Sequence, residues 1–261
     1  MVSFRRRSRF VRALQTYGLE RCSMTPGQLW VGRPPDPEHR HAPVDGVPPP
    51  LRSVCFVEGP EQAGLIAALA VSPEAETLEH LMIGTTHAYI GPGRPTPYDI
   101  SAAVAALAGA TMPALTRLVL GDMERLFNGH AYYGRVGDVT HAFDMAPGLL
   151  ALRICGCMTL SRPVSHARLE GWHVDVDDIG VAGGPLSQDT VSNILGSRLP
   201  RLRTLELALD EDDVQPYDVP EPFFADNGFP ALERFGMDCL TPDAERRLRA
   251  WAAGRALHWT F

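Results

Sequence analysis

The chain has 261 residues and a net charge of -7, with 45% hydrophobic and 21% charged side chains, proportions of a globular protein long enough to bury a substantial core. Residues 1–50 hold eight arginines against four acids, and that local +4 leaves -11 for the rest; so acidic a body is a poor general partner for phosphate backbones. No window approaches the run of about 18 apolar residues that a membrane span needs, and no apolar stretch follows Arg5-Arg6-Arg7, so no secretory signal is expected.

Residues 4–17 are predicted to form an amphipathic helix, with Phe10, Val11, Leu14 and Tyr17 on one face and Arg5, Arg6, Arg9 and Arg12 mostly elsewhere. As a basic arm this helix would seek nucleic acid or an anionic surface. As a polar-faced cap on a repeat array its arginines would simply face water, and that is the reading preferred. The proline-rich segment 34–50, with His39 and His41, follows as a linker or extended cover. Two domains are therefore expected: 1–50 as basic helix plus linker or cap, and 51–261 as the repeat body.

From Leu51 an apolar-x-x-apolar-x-apolar pattern takes over. Its copies are Leu51-Val54-Phe56, Leu78-Leu81-Ile83, Leu115-Leu118-Leu120, Leu149-Leu152-Ile154, Leu169-Trp172-Val174, Leu202-Leu205-Leu207 and Leu232-Phe235-Met237, with Ala256-Trp259-Phe261 as a closing copy. Pro113, Pro147, Pro200 and Pro230 each precede a copy by two residues. Helices are predicted between copies. Pro60–Leu69 has proline in its first turn, Asp99–Ala108 starts with a capping aspartate, and Ser187–Leu195 starts with a capping serine. Thr241-Pro242-Asp243 opens a further helix that reaches Ala253 and stops at Gly254. Strands alternating with helices build parallel sheets.

On these copies, residues 51–261 resemble the leucine-rich repeat family, whose unit reads L-x-x-L-x-L-x-x-N/C-x-L. The resemblance implies an α/β right-handed solenoid, with a parallel sheet on one side and helices on the other. It departs from the family at the asparagine position, which holds Gly59, Thr86, Met123, Cys157, Asp177, Asp210 and Leu240. Of these Cys157 fits, while Asp and Thr substitute in part through their hydrogen-bonding oxygens. A regular asparagine ladder is therefore not expected.

Alternation along a strand sends the residues between the apolar positions to the opposite face. The central column there is Cys55, Met82, Val119, Arg153, His173, Glu206 and Gly236. One flank is Ser53, His80, Arg117, Ala151, Gly171, Thr204 and Arg234, and the other includes Cys155 and Asp175. With strands about 4.8 Å apart, Arg153, His173 and Glu206 are expected to be neighbours, and with Arg117 they form the candidate binding patch. Tyr132, Tyr133 and Arg135, in the Asn128–Gly137 insertion, form a second contact candidate.

The expected function is a non-enzymatic scaffold for protein–protein interaction, needing no cofactor or metal. Association with nucleic acid or an anionic surface through the Arg-rich arm is the alternative. A cysteine-dependent hydrolase using Cys155, His173 and Asp175 is the third reading; it lacks an oxyanion-hole motif, so no residue is assigned as catalytic. Asp175, Asp177 and Asp178 lack the glycine and distal glutamate of a calcium loop. The five cysteines have no zinc-ribbon spacing and are expected as free thiols in a cytoplasm. The absence of lysine is read as the codon bias of a GC-rich bacterial genome.

Overall fold

A computed structural model of the chain describes residues 8–18, 22–25, 28–32, 42–43, 50–57, 62–85, 98–122, 134–176, 186–209, 216–225, 228–253, 255 and 257–260. The chain starts with helix α1 (Arg9–Tyr17) and strands β1 (Cys22–Thr25), β2 (Gln28–Gly32) and β3 (Ala42–Pro43). Then come β4 (Ser53–Val57), α2 (Gln62–Ala70), α3 (Glu74–Thr77), β5 (His80–Thr85), β6 (Tyr98–Asp99) and α4 (Ser101–Ala105). The middle holds β7 (Arg117–Asp122), β8 (Gly134–Asp138), α5 (Thr140–Met145), β9 (Ala151–Cys155), β10 (Cys157–Thr159) and β11 (Gly171–Asp175). Last are α6 (Gln188–Leu195), β12 (Thr204–Ala208), α7 (Glu221–Ala225), β13 (Arg234–Met237), α8 (Pro242–Ala252) and β14 (His258–Thr260).

Each copy of the apolar pattern coincides with a strand of one eleven-stranded sheet, ordered β14-β13-β12-β11-β9-β7-β5-β4-β2-β1-β3. It is parallel from β2 to β14 and turns antiparallel only at β1. Both ends of the order are distinct strands, so the sheet is not a closed barrel. The sheet also crosses position 50, because β1, β2 and β3 extend it into the segment expected to be helix and linker.

The copies are in phase. Val54, Leu81, Leu118, Leu152, Trp172, Leu205 and Phe235 form one row across the sheet. Their row is buried, as is the row of third apolar positions from Phe56 to Met237, and both join side chains of the helices in one continuous core. Phe10 and Leu14 of α1, Ile66 and Leu69 of α2, Phe143 of α5, Val191 and Ile194 of α6 and Leu248 of α8 all belong to it. The helices therefore cover one face of the sheet and leave the alternating residues on the other. Each fully buried Leu, Ile or Phe in these rows contributes about 1.5–3 kcal/mol by leaving water, and aromatic pairs such as Phe143–Trp172, with centroids 5.1 Å apart, reinforce the packing.

Strand entry is fixed by a backbone ladder. The carbonyl of Arg52 accepts N–H bonds from both Glu79 and His80, that of Glu79 from Thr116 and Arg117, and that of Thr116 from Leu150 and Ala151. The same two-donor arrangement repeats at Leu150, Glu170 and Arg203, and His258 N–H continues it to Glu233. Buried backbone donors need partners, and here the ladder supplies them at the start of each strand without any side-chain amide.

The capping expectations hold where they are described. Ser187 Oγ accepts from Thr190 N–H, and Thr241 Oγ1 accepts from Ala244 N–H with Pro242 inside the first turn. Asp99 Oδ1 accepts from Ser101 N–H just ahead of α4, and α4 itself is shorter than expected. Gly254, the expected stop for α8, lies outside the described residues, as do Arg5 and Arg6 of the N-terminal helix.

A second, three-stranded parallel sheet, β10-β8-β6, was not foreseen. Tyr98 of β6 ties it to the first: its hydroxyl donates to the Cys155 carbonyl in β9, and it is buried. Gly134 and Gly156 leave room for it, since a Cβ at Gly134 would lie 2.3 Å from the Tyr98 ring and one at Gly156 2.4 Å from its hydroxyl oxygen.

Candidate functional site

The face of the large sheet opposite the core carries the columns expected from alternation. In the central column Cys55, Met82, Val119, Arg153, His173, Glu206 and Gly236 follow one another strand by strand, and β2 adds Trp30 before Cys55. In the flanking column Ser53, His80, Arg117, Ala151, Gly171, Thr204 and Arg234 are likewise in register, with His258 after Arg234.

The column changes character along its length. Toward β2 it is apolar: Trp30, Cys55 and Val57 form one small buried cluster, Val119 and Cys155 another, and Met82 packs against both. Burial pushes the Cys55 thiol well above its usual range, so it is a protonated, inert side chain at neutral pH. From β9 to β12 the column is polar and charged, and Arg234 joins it from the flanking column of β13. His173 Nδ1 lies 2.9 Å from Glu206 Oε2, and Arg234 Nη1 lies 3.7 Å from Glu206 Oε1. The His173 and Glu206 side chains keep 27% and 32% of their exposure, so this pair acts in partly solvated surroundings and contributes modestly to stability.

Arg153 and His173 are adjacent in register, yet neither has a hydrogen bond to the other; Arg153 Nε and His173 Nε2 are both buried without a partner. A buried donor left unpaired costs about 1–3 kcal/mol, more when charged. This face therefore holds unused hydrogen-bonding capacity at its centre.

Next to that patch is a pocket of about 220 Å³ spanning β2 to β9. Met82 and Val119 supply its apolar surface, Gln28 and Ser53 its neutral polar groups, and His80, Arg117 and Arg153 its basic ones. Among the described residues no carboxylate lines it, and neither Arg117 nor Arg153 has an ion-pair partner.

Arg135 is exposed in β8 of the small sheet, in register with Asp99 and Cys157. Burial raises the Cys157 thiol, with the charge of Arg135 offsetting this in part. Tyr132 and Tyr133 are outside the described residues, as are His39, His41, Asp177, Asp178 and the acidic run 210–213. On α1, Arg9 and Arg12 are exposed while Phe10 and Leu14 enter the core.

Cys155, His173 and Asp175 do not assemble as a nucleophile, base and orienting acid. Cys155 is buried and in register with Asp175, while His173 stands opposite Arg153 and Glu206. The nucleophile–base hydrogen bond such chemistry uses is missing: Nδ1 of His173 faces Glu206 and Nε2 has no partner. Among the described residues no group of three or more His, Cys, Asp or Glu is placed to hold a metal ion, and no helix is long and apolar enough to cross a membrane.

No protein-family model matches the chain. No curated protein matches it either. Among solved structures it is similar to a Bacteroides fragilis protein determined by a structural genomics consortium, at 17% identity and a TM-score of 0.39. The match covers 73% of this chain and 60% of that one, so the chain spans less than two thirds of that protein's length. A likeness this slight carries no inference about fold or function.

Sequence reasoning missed two contributors to this face. Gln28 went unnoticed because β2 sits between an arginine-rich helix and a proline-rich segment; the Leu29-Trp30-Val31 run, favourable for a strand, was the available signal. Arg234 was placed in its column, but its reach to Glu206 depends on a side-chain direction that register alone does not specify.

Proposed function

We propose that the chain is a right-handed solenoid of leucine-rich-repeat type, a non-enzymatic scaffold that binds another protein on its open sheet face. The observation that carries this reading is the in-register row Arg153, His173 and Glu206, with Arg153 Nε and His173 Nε2 buried and unused, on the face that the helices leave uncovered. Parallel-strand arrays of this kind offer broad, semi-rigid surfaces. The charge pattern sets the partner's chemistry: acidic groups opposite Arg153 and Arg234, and a basic or hydrogen-bond-donating group opposite Glu206. The phase of the apolar rows and the repeated strand-entry ladder support the solenoid reading.

The test compares the full chain with an Arg153→Ala/His173→Ala/Glu206→Ala variant of equal thermal stability, each used to capture partners from the native host. A partner held by the wild type is expected to lose about tenfold or more in affinity, equivalent to 1.4 kcal/mol. Equal recovery by both proteins would mean that this face is not the binding surface.

A further inference from the structure

We propose that the pocket between β2 and β9 is an oxyanion site, built to take the carboxylate or phosphate of a small ligand. This goes beyond protein binding and does not rest on it: the two readings share Arg153, but the pocket also needs Arg117, which lies outside the Arg153–His173–Glu206 row.

The sequence places basic side chains on three successive parallel strands. His80 and Arg117 are directly opposite in register, and Arg153 stands opposite Val119, two residues along from Arg117. Adjacent strands are about 4.8 Å apart, so these groups share one small volume and repel one another when all are charged. Long side chains on an open surface would spread into solvent, but Arg153 has its Nε buried and unpaired beside the pocket. Among the described residues no acid enters the pocket to neutralise the two guanidinium groups.

An oxyanion resolves both features at once, since guanidinium groups match carboxylate and phosphate geometry with paired, charge-assisted hydrogen bonds. The opposite strand position to Arg117 on the β9 side is Ala151, too small to fill the space in front of it. Ser53 contributes a hydroxyl that can donate or accept. Met82 and Val119 give the ligand a short apolar contact. At about 220 Å³ the pocket is smaller than the roughly 300–1,000 Å³ of drug-sized sites, which fits a compact anion rather than a nucleotide.

The anionic group has two available sources: a free small molecule, or an acidic side chain of a docked protein. Isothermal titration of the full chain at low ionic strength with inorganic phosphate, benzoate and N-acetylglutamate α-amide separates them, the last compound standing for a glutamate side chain. Saturable binding of at least one probe is expected. It should weaken about tenfold or more in Arg117→Ala, the loss of one charge-assisted contact, and vanish in Arg117→Glu. Arg117 is exposed, so both variants are expected to fold, and matching melting curves check this. Absence of saturable binding by all three probes, or unchanged affinity in both variants, overturns the proposal.

Discussion

Replacing Tyr98 tests how the two sheets are joined. Its phenol is buried, its ring lies against Gly134, and its hydroxyl donates to the Cys155 carbonyl. Tyr98→Phe keeps the ring and deletes only the donor. The net worth of such a bond is about 0.5–1.5 kcal/mol, rising to about 1–3 kcal/mol if the acceptor is left buried and unpaired. Tyr98→Ala also empties the ring's volume and is expected to cost about 3–5 kcal/mol, in line with other large-to-small aromatic changes in cores. Gly156→Ala should be severe for a separate reason. Its φ of 128° disfavours a side chain, and the new Cβ would meet both the Tyr98 hydroxyl and the Gly134 carbonyl, the latter 3.0 Å away. Urea unfolding followed by far-UV circular dichroism measures all three, with an unchanged m-value showing that the same surface is exposed. If Tyr98→Phe stays within about 0.5 kcal/mol of wild type, as an unremarkable surface change would, the hydroxyl is not the link between the sheets.

The acid limb of stability should depend on Asp138. Partial burial raises its carboxyl, but the Thr140 hydroxyl and N–H, Ser161 and the charge of His141 outweigh that and hold it below its ordinary 3.8. A carboxyl lowered by folding stabilises above its unfolded value and loses that contribution as pH falls through the folded value. The wild-type advantage over Asp138→Asn is therefore expected to shrink on acidification below about pH 4; a difference that stays constant with pH refutes the assignment. The Cys55 thiol should resist labelling by a thiol reagent at neutral pH until the chain is unfolded, because burial raises it and hides it. Labelling in native buffer as fast as a free thiol would contradict that environment.

How much of this was legible in the chain follows from what each element uses to hold its place. The strands β4, β5, β7, β9, β11, β12, β13 and β14 each bury apolar side chains against the same helical layer, so each repeats one spacing and was readable. The small sheet uses another device. β6 is two residues long and β10 three, too short for an alternating pattern, and β8 has glycine at two of its five positions, Gly134 and Gly137. α5 is preceded by Val139, which gives it no side-chain cap, and α7 spans five residues, so neither offers the start signals that marked α6 and α8. The three N-terminal strands were hidden by their setting, as the surrounding arginines and prolines dominate any window that contains them.

The face opposite the core shows the same division at the level of single side chains. A period of two is a property of the strand backbone, so once the apolar rows were in phase the neighbours of His173 followed from counting alone. Where a long side chain goes within its column is decided by its surroundings. Glu206 turns to His173 and Arg234, which leaves Arg153 without that acid. On the other side of Arg153, apolar Val119 and Met82 border a space that no spacing rule announces. Charge segregates along one face as a result, paired toward β12 and β13 and unpaired toward β5 and β7. The face therefore presents two environments side by side: a patch where charges are paired, and a compact pocket lined by basic side chains.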